Sequence, residues 1–376
     1  MSKWKFRTES KNISESVLSQ KSTEDLVESK DFLDKILSLR KLSKLEKTYI
    51  NGTRAALDYN GVDKVFVDYR FDGTATGRLS CAMYAADQPM GVSFHTLPRG
   101  TESNIRSMFV APDDHAFITV DYSTMELRVL ANLARETKMI EAFKSGDDLH
   151  SYTGSLLFGK DVSSVTKTER QLAKMVSFLI VYGGGPFNLA ETTGVSLRKA
   201  ERVVSSYKQV YPKIFRFMDY VHGFVQKNGH AYTIFGRRRN LEDITSRDST
   251  VKHRALRQGF NFVIQSTSSD ILLFSLLGIN RDFEKAGLES RIVSTVHDSI
   301  EIISPLDELD KSSMIIYNNM INYPVIREKF GMEFEVPFQI ETVVGKSFGD
   351  GLEATHGSDG NIKNIEDIRN YVNSAN

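Results

Sequence analysis

From Thr23 to Tyr49, apolar residues (Leu26, Leu33, Ile36, Leu37, Leu42, Leu45 and Tyr49) recur at helical spacing among charges. That pattern predicts one or two amphipathic helices. Residues 116–121 form a different pattern, a short apolar run that ends on Asp121. Such a run reads as a buried strand delivering its last residue to an edge, and residues 124–134 return at once to helical periodicity. Between 133 and 230, β-rich runs are few and apolar i/i+4 pairs many, so this stretch is expected to be mostly helical. Two β-rich runs, 291–296 and 299–304, flank His297-Asp298 with almost no linker, as in a tight hairpin. The tail is polar from Gly351 until a short helical pattern at 364–373. Residues 1–22, rich in Ser and Lys, are expected to be loosely ordered. No repeat at solenoid spacing is visible. The expected class is α+β, a small sheet platform interrupted by a large helical insertion.

Composition narrows the picture. A chain of 376 residues is too long for one ordinary core and suggests two or three lobes. Hydrophobic and charged contents of 40% and 26% are those expected of a globular protein in water. No continuous apolar run approaches the roughly 18 residues needed to span a bilayer, and the first residues lack a secretory apolar stretch. No membrane partner is therefore expected, and the expected location is cytoplasmic, in a bacterial or phage-infected cell, with an organelle as the alternative. The single cysteine, Cys81, excludes an internal disulfide or a thiolate-rich zinc site. With 48 basic and 48 acidic side chains, the net charge of zero argues against coating nucleic acid by bulk charge. Local basic runs remain, at Arg237–Arg239 and at Lys252, His253, Arg254 and Arg257. Each is either a solvated face or a nucleic-acid contact.

Two constellations carry candidate chemistry. Asp121 ends an apolar strand and Asp298 sits at a hairpin tip, where a carboxylate is costly unless paired or bound to metal. Either each aspartate caps a turn, or the two tips lie side by side and clamp divalent cations for an in-line displacement at phosphorus. Mg²⁺ needs only one or two carboxylates when substrate phosphates supply further oxygens. The second constellation is Arg170, Lys174, Phe178 and Tyr182, at i, i+4, i+8 and i+12 before Gly183-Gly184-Gly185. Each step of four drifts only about 40° around a helix, so the four share one stripe, cationic at one end and aromatic at the other. A nucleoside triphosphate has the same polarity, with Arg170 and Lys174 on its phosphates and Phe178 on sugar and base. Tyr182 could stack on a template base. The alternative is an amphipathic helix whose aromatics face the core.

These residues carry a family resemblance. DYSTMELRVLA (121–131) resembles the first metal motif of the A-family, polymerase I-like DNA polymerases. RQLAKMVSFLIVYG resembles that family's nucleotide-binding helix and VHDS (296–299) its second metal motif. TATGRLS (74–80) and FNFVIQSTSSD (260–270) are similar to two further segments, and all five occur in the family's order. The resemblance implies a right-hand fold with an antiparallel-sheet palm, helical fingers and a truncated thumb. It implies a thumb base at 1–60, palm at 61–129 and 246–376, and fingers at 130–245. It assigns two Mg²⁺ ions, replaceable by Mn²⁺, to Asp121 and Asp298, with Lys174 completing the catalytic set. It assigns the incoming dNTP to Arg170, Lys174, His150, Phe178 and Tyr182, with Glu126 as the gate against a ribose 2′-hydroxyl. It assigns primer–template DNA to Arg78, Arg257, Asn261, Gln265 and His297. Arg128 reads as either a supporting residue or a surface arginine.

Departures bear on the detail. The family's second metal motif usually continues His-Asp-Glu, and here Ser299 stands in the third position. The stretch between TGRLS and HTLP (95–98) is longer than expected. The residues before TATGRLS suffice for the base of a thumb and leave no place for proofreading carboxylates, so a separate exonuclease or processivity chain is an expected partner. The short N-terminus and Ser299 point to a phage or other mobile element. The expected function is template-directed DNA synthesis without proofreading. The competing readings are a single-subunit RNA polymerase, which Glu126 argues against, and a degenerate DNA-binding accessory chain.

Overall fold

The computed structural model describes residues 27–82, 91–98 and 104–374. The expectation of loose order at 1–22 and most of the long stretch between TGRLS and HTLP lie outside them. The chain divides into two compact units, Met1–Asp68 with Cys81–Arg106 and Tyr69–Ser80 with Ser107–Asn376.

In the first unit, the periodicity before Tyr49 becomes helix α1 (Val27–Lys44), followed by a π-helical turn (Leu45–Ile50) and α2 (Asn51–Asn60). Tyr49 is buried, and its hydroxyl donates to the Thr96 carbonyl, fastening the helices to the 91–98 segment. Two short strands, β1 (Asp68–Arg70) and β2 (Ser80–Ala82), bracket the TATGRLS loop.

The second unit is built on an antiparallel five-stranded sheet in the order β6-β7-β3-β8-β9. Its strands are β3 (His115–Tyr122), β6 (Arg291–Val296), β7 (Ser299–Pro305), β8 (Ile340–Gly345) and β9 (Leu352–Glu353). Both predicted hairpin strands and the predicted strand at 116–121 are present. The central strand β3 pairs with β7 on one side and β8 on the other. Side chains alternate across a strand, so Ile118, Val120, Ile300, Ile302 and Val344 share one face, and all five are fully buried. Tyr122 lies on that face too, and its hydroxyl bonds Ser275 Oγ and the Met320 carbonyl, each at 2.9 Å. The sheet is thereby locked to the two helices behind it.

The helical insertion runs through α3 (Met125–Ala134), α4 (Thr137–Ser145), α5 (Leu149–Phe158), α6 (Lys167–Val181), α7 (Pro186–Thr193), α8 (Leu197–Val210) and α9 (Pro212–Asn228). A small hairpin of β4 (His230–Tyr232) and β5 (Arg238–Asn240) closes it, and the 38-residue helix α10 (Ser249–Ala286) returns the chain to the sheet. The remaining helices are α11 (Leu309–Ile321), α12 (Pro324–Phe330) and α13 (Ile365–Ser374), the last at the predicted helical pattern in the tail.

Helix α10 carries more apolar character than a search for continuous runs reveals. It contains an 18-residue window of mean hydropathy 1.5, long and apolar enough by composition to cross a membrane. The interspersed Gln265, Ser266, Thr267, Ser268, Ser269 and Asp270 hide that window from a search for continuous apolar residues. The window is 78% buried inside the protein, which makes it a core helix.

Arg128 is not a surface arginine. It is buried on α3, with Nε donating to the Ser123 carbonyl, Nη1 to the Pro337 carbonyl and Nη2 to Gln339 Oε1. Its guanidinium lies 4.4 Å from the Phe143 ring centre, and burial pulls its pKa down to about 10. One side chain thus ties the turn after Asp121 to the segment that enters β8. Arg128→Met would keep the packing and leave the Ser123 and Pro337 carbonyls and Gln339 Oε1 without this donor. It should cost about 2–3 kcal/mol, read as a lower urea midpoint at unchanged slope.

Candidate active site

Register sets the first part of the site. Asp121 pairs with Ser299 of β7 and with Glu341 of β8. Residues directly opposite in antiparallel strands project from the same face, so Ser299, Asp121 and Glu341 form one row across three strands. The β6–β7 turn consists of His297 and Asp298, and His297 takes a left-handed φ of 61°. That conformation suits the tight turns whose twist matches paired strands. The Tyr122 amide donates to the Asp298 carbonyl at 3.3 Å, holding the turn against the end of β3. Asp121 and Asp298 are therefore brought together from residues 177 positions apart in sequence (298 − 121). Both are half-buried, and His297 is exposed beside them.

A loop held from behind supplies the facing charge. Ser266 Oγ donates to the Thr76 carbonyl at 2.7 Å and Ser269 Oγ to the Gly77 carbonyl at 3.0 Å. Asp270 accepts from Arg237 Nε at 2.8 Å and from Thr233 Oγ1 at 3.1 Å. The Arg237 guanidinium comes so close to Gly77 that a Cβ there would sit 2.8 Å from it. Gly77 also has a left-handed φ of 68°, a conformation that favours glycine. Pinned in this way, the loop places Arg78 Nη2 2.9 Å from Glu126 Oε1 and 3.1 Å from Asp298 Oδ1. Gln265 Nε2 donates to the same Glu126 oxygen at 3.2 Å. Burial pushes the Glu126 carboxyl above its ordinary value, the Arg78 charge and the Gln265 bond oppose that, and the Asp298 charge adds to it. Tyr182 completes the cluster. Its phenol is pushed up to about 12 by burial and by the neighbouring Glu126 charge. Four residues expected to divide between sugar, base and DNA thus share one network with a candidate metal ligand.

Helix α6 presents the cationic stripe. A reciprocal cap starts it, with Thr166 Oγ1 accepting from the Glu169 amide and Glu169 Oε2 accepting from the Thr166 amide. Arg170 makes a two-pronged bond to Asp148, each contact 2.8 Å, while Lys174 is exposed. Burial alone would raise the Asp148 carboxyl, yet Arg170 and Ser151 hold it well below the usual carboxylate range. His150, the second residue of α5, is buried, and its ring centre lies 6.1 Å from that of Phe178. Burial, with a smaller push from Arg170 and Lys174 and against the pull of Asp148, lowers His150 to about 4. Its imidazole is therefore neutral at physiological pH. It can offer an anion one N–H and no charge.

Arg257, Asn261 and Gln265 fall at successive four-residue steps on α10. Arg257 is exposed and packs on Gly183, and a Cβ at 183 would lie 3.0 Å from its Cγ. Asn261 Nδ2 is buried with no hydrogen-bond partner among the described residues. The basic runs resolve differently. Arg237 belongs to Asp270, Arg239 lies 6.0 Å from the centre of the Phe262 ring, and Arg254 pairs with Asp243. Sequence reasoning missed Asp148, Ser266, Ser269, Asp270 and Glu341. Only Asp148 carried a local signal, since it stands before a helix as a capping residue, with Oδ2 accepting from the Ser151 amide.

The profile of DNA polymerase family A matches residues 1–350 of the chain. The chain belongs to DNA polymerase family A. The family relatives it matches include the DNA polymerase I of Caldicellulosiruptor bescii, 31% identical over 324 residues, covering 86% of this chain and 36% of that protein. The DNA polymerase I of Chloroflexus aurantiacus is 32% identical over 287 residues, covering 76% of this chain and 29% of that protein. The chain thus spans about a third of the length of these curated relatives. Among solved structures, the polymerase domain of Pol1 from M. smegmatis, in complex with DNA primer–template and dNTP, superposes with a TM-score of 0.76. It shares 27% identity and covers 89% of this chain and 56% of that one. The right-hand α+β fold expected from the motifs is the family's fold.

The His150 finding has a direct consequence for stability. A histidine whose folded pKa is depressed contributes stability that is present above its unfolded value, near 6.5, and lost as pH falls toward 4. Between pH 7.5 and pH 5 the wild-type chain should lose more stability than His150→Phe. Urea midpoints at the two pH values measure it, and equal losses would show that His150 is not held neutral.

Proposed function

We propose that this chain performs template-directed DNA synthesis, adding dNTPs to a primer 3′-hydroxyl by two-metal-ion nucleotidyl transfer. The observation that carries the proposal is the register that sets Asp121 and Asp298 at adjacent strand ends, with the Glu126–Arg78–Gln265–Tyr182 cluster against them. We assign residues 61–129 and 246–376 to the palm, 130–245 to the fingers and 1–60 to the base of a thumb.

The donor set fits hard divalent cations. One carboxylate stands near the end of β3 and the other in the adjoining β6–β7 turn, where Arg78 lies within 3.1 Å of it. Asp121 and Asp298 would hold Mg²⁺, for which Mn²⁺ can substitute. Bound there, the ions supply a polarised primer hydroxyl and charge neutralisation at the leaving pyrophosphate. The chain's own residues do the rest. Arg78 yields Asp298 and remains with Glu126. Arg170 and Lys174 take the triphosphate, which substitutes for Asp148 as the partner of Arg170. His150 donates a neutral N–H to the same group, and Phe178 packs on the sugar and base. As the 3′-hydroxyl gives its proton to solvent and its oxygen bonds the α-phosphorus, the bridging bond to the β-phosphate breaks and Lys174 Nζ protonates the departing pyrophosphate. Glu126, buried and held by two donors, occupies a fixed volume that a 2′-hydroxyl would need. Arg257, Asn261, Gln265 and His297 line the path of primer–template DNA, where minor-groove acceptors allow pair geometry to be checked without reading sequence.

The volume held by Glu126 favours DNA over RNA synthesis. Intact Asp121, Asp298, Arg170 and Lys174 favour an enzyme over a degenerate DNA-binding chain. Asp121→Ala or Asp298→Ala should lower primer extension by about a thousandfold or more while DNA affinity persists. Gel-resolved extension beside fluorescence anisotropy of labelled DNA reads both, and normal extension would remove the metal assignment. The same assay without nucleotides reads our further proposal that the chain does not proofread, since metal-dependent primer shortening would contradict it. Glu126→Ala should raise ribonucleotide incorporation relative to dNTP roughly ten- to a hundredfold. An unchanged ratio of the two kcat/KM values would show that another residue is the gate.

A further inference from the structure

Where the family's second metal motif usually has glutamate, this chain has Ser299, yet a carboxylate stands one rung away on the same face of the sheet. Glu301 of β7 is fully buried and lies opposite Thr119 of β3 and Ser294 of β6. Its position two residues along the strand puts it on the face that carries Asp121 and Ser299. Ser299 Oγ donates to Glu301 Oε1 at 2.6 Å. The hydroxyl has a single proton, and the alternative acceptor, the Val296 carbonyl, is neutral and farther away at 3.0 Å. A carboxylate at the shorter distance is the stronger acceptor, so the proton points to Glu301. The lone pairs of Ser299 Oγ are then left for the row it shares with Asp121.

We infer that Ser299 and Glu301 act together as a positioning pair that replaces the missing acidic side chain beside Asp298. The serine stands in the row with Asp121, next in sequence to Asp298, and the buried glutamate fixes and polarises it. Outer-shell partners of this kind orient the groups that hold a metal and tune their basicity. Burial also makes the arrangement stiff. Glu301 cannot turn toward water, and Thr295 Oγ1 donates to the Ser299 carbonyl at 2.7 Å, so both the backbone and the hydroxyl of Ser299 are held. The inference rests on the reading of Asp121 and Asp298 as metal ligands.

The test is Mn²⁺ binding without turnover. The chain is loaded with dideoxy-terminated primer–template and the next dNTP, and free Mn²⁺ is followed by electron paramagnetic resonance. Glu301→Gln and Ser299→Ala should each weaken Mn²⁺ binding by about tenfold, the usual scale for an outer-shell partner. The double variant Ser299→Ala/Glu301→Gln should be no worse than either single one, because each change breaks the same pair. Ser299→Glu placed in the Glu301→Gln background should restore tight binding. Wild-type Mn²⁺ affinity in a folded Glu301→Gln chain, even with a lowered melting temperature, would make Glu301 merely structural and overturn the inference. Losses that multiply in the double variant would also overturn it, as would failure of Ser299→Glu to rescue. Should Glu301→Gln not fold, Ser299→Ala decides alone. Asp298→Ala in the same titration separates the two levels. If it leaves Mn²⁺ binding intact, the metal reading itself fails; if it abolishes binding while Glu301→Gln does not weaken it, only the pair is refuted.

Discussion

The site depends on the register of β3 between β7 and β8. Because side chains alternate, a slip of one residue would turn Asp121 into the core and push Val120 or Tyr122 into the row with Ser299 and Glu341. Two features prevent the slip. The face behind Asp121 is filled by fully buried Ile118, Val120, Ile300 and Ile302, and Tyr122 is bonded from that face to Ser275 and the Met320 carbonyl. The front of the sheet is thus free to carry carboxylates because the back fixes their positions.

The polar band of α10 extends the same division of labour. A helix this buried would normally exclude serine, threonine and aspartate. Here the polar side chains from Gln265 to Asp270 each have a partner. Gln265 meets Glu126, Ser266 and Ser269 hold the carbonyls of the TATGRLS loop, Asp270 holds Arg237, and Thr267 and Ser268 bond back to their own helix. The band therefore orders a loop from which Arg78 reaches Asp298. The loop's conformation and the electrostatics of the carboxylates become one problem, and changes at Ser266 or Gly77 act on the site without touching it.

Charges on α6 are likewise held in reserve. Arg170 is paired with Asp148 at a partly exposed position, where such a pair contributes little to stability and can be exchanged for another anion. His150 is kept neutral between them, which keeps a third positive charge out of a cluster that already contains Arg170 and Lys174. The arrangement suits a ligand that carries its own negative charge.

Elements with a strong local period were legible in the sequence. The strand ending at Asp121, the hairpin around Asp298 and the stripe on α6 could be read because spacings of 2 and 3.6 impose themselves on neighbouring residues, and the order of the motifs gave the family. Strand β8, the anchoring of Arg128, the Asp148–Arg170 pair and the row of Ser299, Asp121 and Glu341 left no such trace. Each joins residues far apart in the chain, and nothing in the local pattern of either segment names its partner. Arg78 shows the difference most plainly. Its motif marked it as functional, but only the packing of α10 against its loop determined that it faces Glu126 and Asp298. Sequence by itself determined which groups are available and which face of each element they occupy. Tertiary structure decided which of them meet, because hydrogen bonds and charge pairs act over a few ångströms of space and are indifferent to separation along the chain.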